Sequence, residues 1–202
     1  MTHKLGILLS GRGSNFLALA RAIEAGTIPD AEIAVVLSNR EAAPGLELAR
    51  DRGIPAFAVP AQSRSRAAQD AGLLNHLQHH GVTLVCLAGF MRLLSPAFIA
   101  AFPQRILNIH PSLLPAFPGL DAQAQALAYG VKIAGCTVHF VDEQLDHGII
   151  IDQATVPVLD DDDEPTLSAR ILAQEHLLYP RAVAKVLTGN YRVEGRRLLP
   201  LS

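Results

Sequence analysis

The apolar positions of the chain fall into short runs with two different periods. Lys4 to Leu9 reads as a strand entering the turn Ser10-Gly11-Arg12-Gly13-Ser14-Asn15, and Phe16 to Ala25 then follows helical spacing as far as Gly26. Glu32 to Leu37 predicts a second strand, Glu41 to Arg52 a helix ended by Gly53-Ile54-Pro55, and Ala56 to Val59 a weak strand. Ser65 to His80 sets Leu73, Leu74 and Leu77 on one side of a helix, and Thr83 to Ala88 is a continuous apolar strand. Ser95 to Phe102 predicts a short helix with Ser95 as N-cap and Pro96 at the first helical position. A strand at 105–109 completes the fifth strand–helix alternation. That is the pattern of an α/β, Rossmann-like, doubly wound and mostly parallel sheet with helices on both faces.

After Pro111 the pattern changes. Pro111, Pro115, Pro118 and Gly119 mark an irregular loop, and Asp121 to Tyr129 reads as a short helix ended by Gly130. Ile133 to Val141 alternates, with Cys136, Val138 and Phe140 on one face and Thr137, His139 and Val141 on the other. The turn Asp142 to Gly148 leads to another strand, Ile149 to Val158, so these two predict an antiparallel pair toward the C-terminal end. A last helix runs from Thr166 to about Leu187, and Tyr191 to Leu199 forms two short strands turning at Gly195. The expected organisation is one domain over 1–202. Residues 1–110 form a phosphate-binding type of half, and 111–202 carry a catalytic loop, antiparallel strands and a C-terminal helix.

Composition narrows the classes without naming a reaction. Half of the 202 residues are hydrophobic, which is ample for a core. A net charge of −2 and a pI near 6.4 leave no basic stripe for a phosphodiester backbone. No apolar run reaches membrane-spanning length, and the N-terminal run Leu5 to Leu9 is too short for a signal segment. Cys86 and Cys136 each sit in an apolar run and read as small buried hydrophobes. The expectation is a cytoplasmic protein, monomer or homodimer, with small-molecule partners and neither nucleic acid nor membrane.

Chemistry concentrates in a few places. In Ile106-Leu107-Asn108-Ile109-His110-Pro111-Ser112 a strand stops at a proline, and alternation turns Asn108 and His110 the same way. An amide that can donate to an oxyanion, beside an imidazole that moves a proton near neutral pH, suits a carbonyl reaction; the plainer role is capping the following turn. Gly13, Ser14 and Asn15 lie where a strand turns into a helix, the usual layout of an anion site, although a tight turn and N-cap explain them equally. The loop is no dinucleotide fingerprint, because Phe16 stands at the third glycine position, and no Walker loop, because no Lys-Ser/Thr pair follows. Asp146, in Leu145-Asp146-His147-Gly148, could stabilise an imidazolium or simply make an Asx-turn. His139 is either a satisfied core histidine or a site residue. His76, His79 and His80 read as solvated helix histidines, and no metal site is expected. Glu175 falls on the apolar stripe of the last helix with Leu167, Ile171, Leu178 and Ala182, so it needs a partner, either an arginine or a ligand.

Together these segments resemble the glycinamide ribonucleotide formyltransferases, over roughly Lys4 to Val186. The likeness rests on Ser10-Gly11-Arg12-Gly13-Ser14-Asn15-Phe16, on Leu87-Ala88-Gly89-Phe90-Met91-Arg92-Leu93-Leu94-Ser95, and on Asn108-Ile109-His110-Pro111-Ser112. It continues through Gly135 to Val141, Leu145 to Gly148, and Gln174-Glu175-His176. The Asn-Ile-His-Pro-Ser block is shared with other enzymes that use 10-formyltetrahydrofolate. The resemblance implies formyl transfer from that co-substrate, without metal, to the amine of phosphoribosylglycinamide. Asn108, His110 and Asp146 would be catalytic; Gly13, Ser14, Asn15 and Glu175 would meet the ribonucleotide. Arg66, Met91, Arg92, Leu93, Leu94, Asn108, Val141, Asp142 and Asp146 would meet the folate, with Met91, Leu93 and Leu94 forming an apolar pocket for the pterin. Two alternatives stand beside it: a formyltransferase acting on another amine, such as a nucleotide-linked amino sugar, and a non-catalytic folate-binding protein. One departure is Gln123, which stands where the family usually carries a histidine in the loop after Gly119.

Overall fold

The structure, a computed structural model, describes residues 2–60 and 66–201. The expected helix start at Ser65 lies outside them. The chain forms two compact units, Met1–Asn108 and Ile109–Ser202.

The first unit alternates strand and helix: β1 (His3–Leu9), α1 (Ser14–Glu24), β2 (Ala31–Ser38), α2 (Pro44–Arg50), β3 (Ala56–Ala58), α3 (Arg66–His79), β4 (Leu84–Leu87), α4 (Pro96–Ala101) and β5 (Ile106–His110), the last crossing into the second unit. The strands lie in the order β3-β2-β1-β4-β5, every neighbouring pair parallel. Ile7 sits at the centre, level with Val36 on one side and Cys86 on the other. Leu5, Ile7, Leu8 and Leu9 are all fully buried, which explains a continuous apolar run in place of alternation. α2 begins at Pro44, three residues after the expected Glu41. Proline fixes φ and lacks the N–H that a first-turn residue does not use, so it starts the helix and leaves Glu41 to Ala43 outside. α4 follows the sequence closely: the Ser95 hydroxyl accepts from the Phe98 N–H at 3.3 Å.

The second unit contains α5 (Ala122–Tyr129), β6 (Ile133–Phe140), β7 (Ile150–Pro157), α6 (Glu164–Leu187), β8 (Tyr191–Glu194) and β9 (Arg197–Pro200). β6 and β7 are antiparallel, with a register break between Val138 and His139. β8 and β9 are antiparallel too, turning at Gly195, and β9 meets β7 at Ile150 and Arg197. The α/β class, the largely parallel sheet and the late antiparallel pairs are as the sequence led one to expect. Alternation on β6 does not separate a wet face from a dry one, since Cys136, Val138 and Phe140 and also Thr137 and His139 are buried. α6 packs on β6, while the 112–114 loop segment hydrogen-bonds to Thr137. α6 starts two residues early because Asp163 caps it: its carboxylate accepts from the Thr166 N–H at 2.9 Å, and the Thr166 hydroxyl accepts from the Asp163 N–H at 2.9 Å. Among the described residues no helix is long and apolar enough to cross a membrane.

Candidate active site

β5 ends where the chemistry begins. Ile106, Leu107 and Ile109 are buried, and Pro111 prevents the strand from continuing, so His110 stands at its tip with 5% of its surface exposed. Its Nε2–H donates to the Phe117 carbonyl at 2.9 Å, and its Nδ1 lies 3.5 Å from Asp146 Oδ2. A carbonyl and a carboxylate both only accept, so the doubly protonated ring satisfies both sides. Asn108 lies two residues earlier on the same strand and is half-buried.

Asp146 is held as closely as the ring it faces. The Gly119 N–H donates to Oδ2 at 2.8 Å, which ties the loop after His110 to the turn that carries the carboxylate. Asp146 has φ of 49°, in the left-handed region that aspartate tolerates. Two residues on, a Cβ on Gly148 would stand 1.7 Å from the Phe140 carbonyl, so only glycine lets the turn close against β6. His139 lies on the other side of the carboxylate, its Nε2 3.8 Å from Oδ1.

The loop itself is braced from below. The Thr137 hydroxyl donates to the Ser112 carbonyl at 2.7 Å and accepts from the Leu114 N–H at 3.0 Å. The Gln153 amide donates to the same hydroxyl at 2.9 Å and to the Leu114 carbonyl at 3.0 Å. The Ser112 hydroxyl closes the loop on the Ala116 carbonyl at 2.6 Å. The two bonds of the Thr137 hydroxyl to the loop backbone are buried, so they hold their positions firmly, while Gln153 reaches them from the exposed side of β7.

Of the other expected residues in this unit, Glu175 is buried on α6, as its place on the stripe required. With burial as the larger cause, its charge helps push the Cys136 thiol up to about 12. Val141 is half-buried. Asp142 is engaged within its own turn: its carboxylate lies 2.8 Å from His147 Nδ1 and accepts from the Gln144 N–H at 2.9 Å. Gln123 sits half-buried in α5, and its neighbour Gln125 holds the Leu120 carbonyl at 2.8 Å.

The loop expected to meet the ribonucleotide and most of the residues expected to meet the folate belong to the first unit. Gly13 has φ of 79° and caps α1 without a side-chain bond; a Cβ there would meet the Gly45 Cα at 2.9 Å. Ser14 opens the helix and Asn15 is buried. Ser10, which sequence reasoning did not single out, organises this end: its hydroxyl donates to Asn39 Oδ1 at 2.5 Å and accepts from the Met91 N–H at 2.8 Å. Arg92 donates to Gln69 Oε1, and Gln69 in turn donates to the Val59 carbonyl. Arg66 is exposed at the start of α3. Leu94 is buried, and Met91 and Leu93 are 61% and 51% exposed. Of the three histidines expected to be solvated, His79 is exposed, while His80 and His76, which stacks on Phe57 with ring centroids 4.6 Å apart, are half-buried.

An imidazole–carboxylate pair at the tip of a parallel strand is an arrangement able to hold and move a proton. A sequence profile described as formyl transferase matches residues 3–183, and the chain belongs to that family. It is 41% identical to the phosphoribosylglycinamide formyltransferase of Escherichia coli (strain K12), over 96% of this chain and 95% of the relative. It is 47% identical to the trifunctional purine biosynthetic protein adenosine-3 of Drosophila pseudoobscura pseudoobscura, covering 94% of this chain but spanning only 14% of that relative's length. Among solved structures, glycinamide ribonucleotide transformylase 1 from Symbiobacterium toebii superposes with a TM-score of 0.96 at 51% identity, covering 100% of this chain and 95% of the other.

Proposed function

We propose that the chain transfers the formyl group of 10-formyltetrahydrofolate to the amine of 5'-phosphoribosylglycinamide, giving formylglycinamide ribonucleotide and tetrahydrofolate in purine biosynthesis. One observation carries the reading: the buried His110 ring has an acceptor beside each nitrogen, Phe117 O at 2.9 Å and Asp146 Oδ2 at 3.5 Å. The amine lone pair forms the new C–N bond while the carbonyl π electrons move onto the formyl oxygen. Protonated His110 and the Asn108 amide meet that oxyanion. Asp146 stabilises the imidazolium by its opposite charge and helps order the water that carries the amine proton to the leaving folate nitrogen. The old C–N10 bond then breaks with its electron pair on N10. The incoming oxygen takes the place of the Phe117 carbonyl as acceptor for Nε2–H.

Gly13, Ser14 and Asn15 serve the ribonucleotide phosphate, with Glu175 on the rest of that substrate. Arg66, Met91, Arg92, Leu93, Leu94, Asn108, Val141, Asp142 and Asp146 serve the folate. Family resemblance supports these roles, together with the glycine-only turn at Gly13. The reading places the enzyme in the cytoplasm as a monomer or homodimer, and two buried thiols, Cys86 and Cys136, accord with a reducing compartment. The test is steady-state turnover of the purified chain with 10-formyltetrahydrofolate and either phosphoribosylglycinamide or a nucleotide-linked amino sugar. Faster formylation of the sugar overturns the substrate assignment. No single-turnover transfer with stoichiometric protein overturns the catalytic one.

A further inference from the structure

The turn between β6 and β7 is held a second time, by the hairpin of β8 and β9. Arg196 stands at the tip of that hairpin, next to Gly195, whose φ is 59°. Its Nη2 donates to the main-chain carbonyl of His147, the residue after Asp146, and its Nη1 lies 3.1 Å from Nε2 of the same residue. A guanidinium only donates, so His147 Nε2 is the acceptor. The ring hydrogen therefore stands on Nδ1, which donates to Asp142 Oδ2 at 2.8 Å. Asp142 Oδ1 accepts the Gln144 N–H at 2.9 Å.

Arg196, His147 and Asp142 thus form a chain from cation to carboxylate in which each bond sets the direction of the next. Both oxygens of Asp142 are oriented by it, and both keep lone-pair capacity for a donor on a ligand. The hairpin has anchorage of its own: Tyr191 packs on Phe140 with ring centroids 6.3 Å apart, and Arg197 pairs with Ile150 on β7. Asp146 has its own as well, the Gly119 N–H on Oδ2. The two ends of the turn are therefore fixed separately, Asp146 by the loop after β5 and Asp142 by the hairpin.

We propose that Arg196 is a positioning residue for the folate co-substrate, acting through His147 to hold Asp142 in the orientation that receives it. The inference rests on the reading of Asp142 as a folate contact. The side chains of His147 and Asp142 are each 42% exposed, so the water around them keeps the effect of a single contact to a few-fold.

Steady-state kinetics of three single variants and one double variant test this. In Arg196→Ala, KM for 10-formyltetrahydrofolate rises about fivefold, while kcat and KM for phosphoribosylglycinamide stay within about twofold of wild type, because Asp146 keeps its bond to Gly119. His147→Ala raises the same KM. In the double variant the rise stays below the product of the two single rises, as residues that act in one chain require. Asp142→Ala raises the folate KM on its own. A wild-type folate KM in Arg196→Ala beside a raised one in Asp142→Ala overturns the proposal and leaves the folate role of Asp142 standing. A wild-type folate KM in Asp142→Ala overturns that role and the proposal with it. Equal rises in both KM values, or a double variant that shows the full product, also overturn the proposal.

Discussion

The main chain of Gly119 donates to Asp146 Oδ2 at 2.8 Å, and the same oxygen lies 3.5 Å from His110 Nδ1. One carboxylate oxygen thus joins the loop that follows β5 to the turn that follows β6. The position of His110 depends on both segments: Phe117 of the loop takes its Nε2–H and Asp146 of the turn faces its Nδ1. Changes at either end should appear in the chemical step before they appear in substrate binding.

His110→Ala should lower kcat by about 100-fold or more, the scale of a lost acid–base group, while the far-ultraviolet spectrum stays that of the folded protein. Asp146→Asn should lower kcat in the same way, since the amide cannot supply the opposite charge. Near-normal turnover by purified His110→Ala would remove the mechanism.

Thr137→Val keeps the volume of a fully buried side chain but deletes a hydroxyl with three partners: Ser112 O, the Leu114 N–H and the Gln153 amide. Buried groups left unpaired cost about 1–3 kcal/mol each. A destabilisation of about 2 kcal/mol in urea unfolding is expected. It should come with a lower kcat, because the braced segment leads directly from His110 to Phe117. A variant equal to wild type in both measurements would show that the loop does not depend on this brace.

Gly148→Ala places a Cβ where the Phe140 carbonyl stands. The turn must then move away from β6 and carry Asp146 with it. Stability should fall by at least about 1–3 kcal/mol, the cost of overpacking, and kcat should fall further than in an alanine variant at exposed Gly26, where nothing lies near the new Cβ.

The architecture of the first unit was legible because its buried strands are short apolar runs between helices that glycine or proline punctuates. Ile7, Val36 and Cys86 fall in register as such runs should. His110 and Asn108 were legible from alternation, and Asp146 as a carboxylate in a glycine turn. The 3.5 Å between Asp146 and His110 was not, since no local pattern encodes a contact across 35 intervening positions. The parts played by Phe117 and Gly119 were hidden for a different reason: they act through the backbone, which every residue type possesses. A Pro-Gly pair in an irregular loop was the only signal. Burial of both faces of β6 was only half legible: His139 could be read as a core histidine, but nothing local shows that Thr137 is buried until its partners are known.

Glu175 lies on a buried helix face, and its charge contributes to raising the Cys136 thiol. Glu175→Gln keeps the shape and removes the charge. If that charge serves the ribonucleotide, KM for phosphoribosylglycinamide should rise about tenfold, with KM for 10-formyltetrahydrofolate unchanged. An equal rise in both values would assign the residue to the fold alone.

His76 gives a pH prediction away from the site. Its pKa is lowered from 6.5, first by burial and then by the neighbouring charges of His80 and His79. The unfolded chain therefore binds this proton more readily than the folded one. As pH falls through about 6.5 the unfolded state is favoured, and the loss continues until the folded-state value is passed. Stability near pH 7 is thus partly lost by pH 5. His76→Gln removes the titrating group, so its urea midpoint should fall less between pH 7 and pH 5 than that of wild type, with formyl transfer unchanged. A slope equal to or steeper than wild type would mean that His76 takes up its proton as readily in the folded protein as in the unfolded chain.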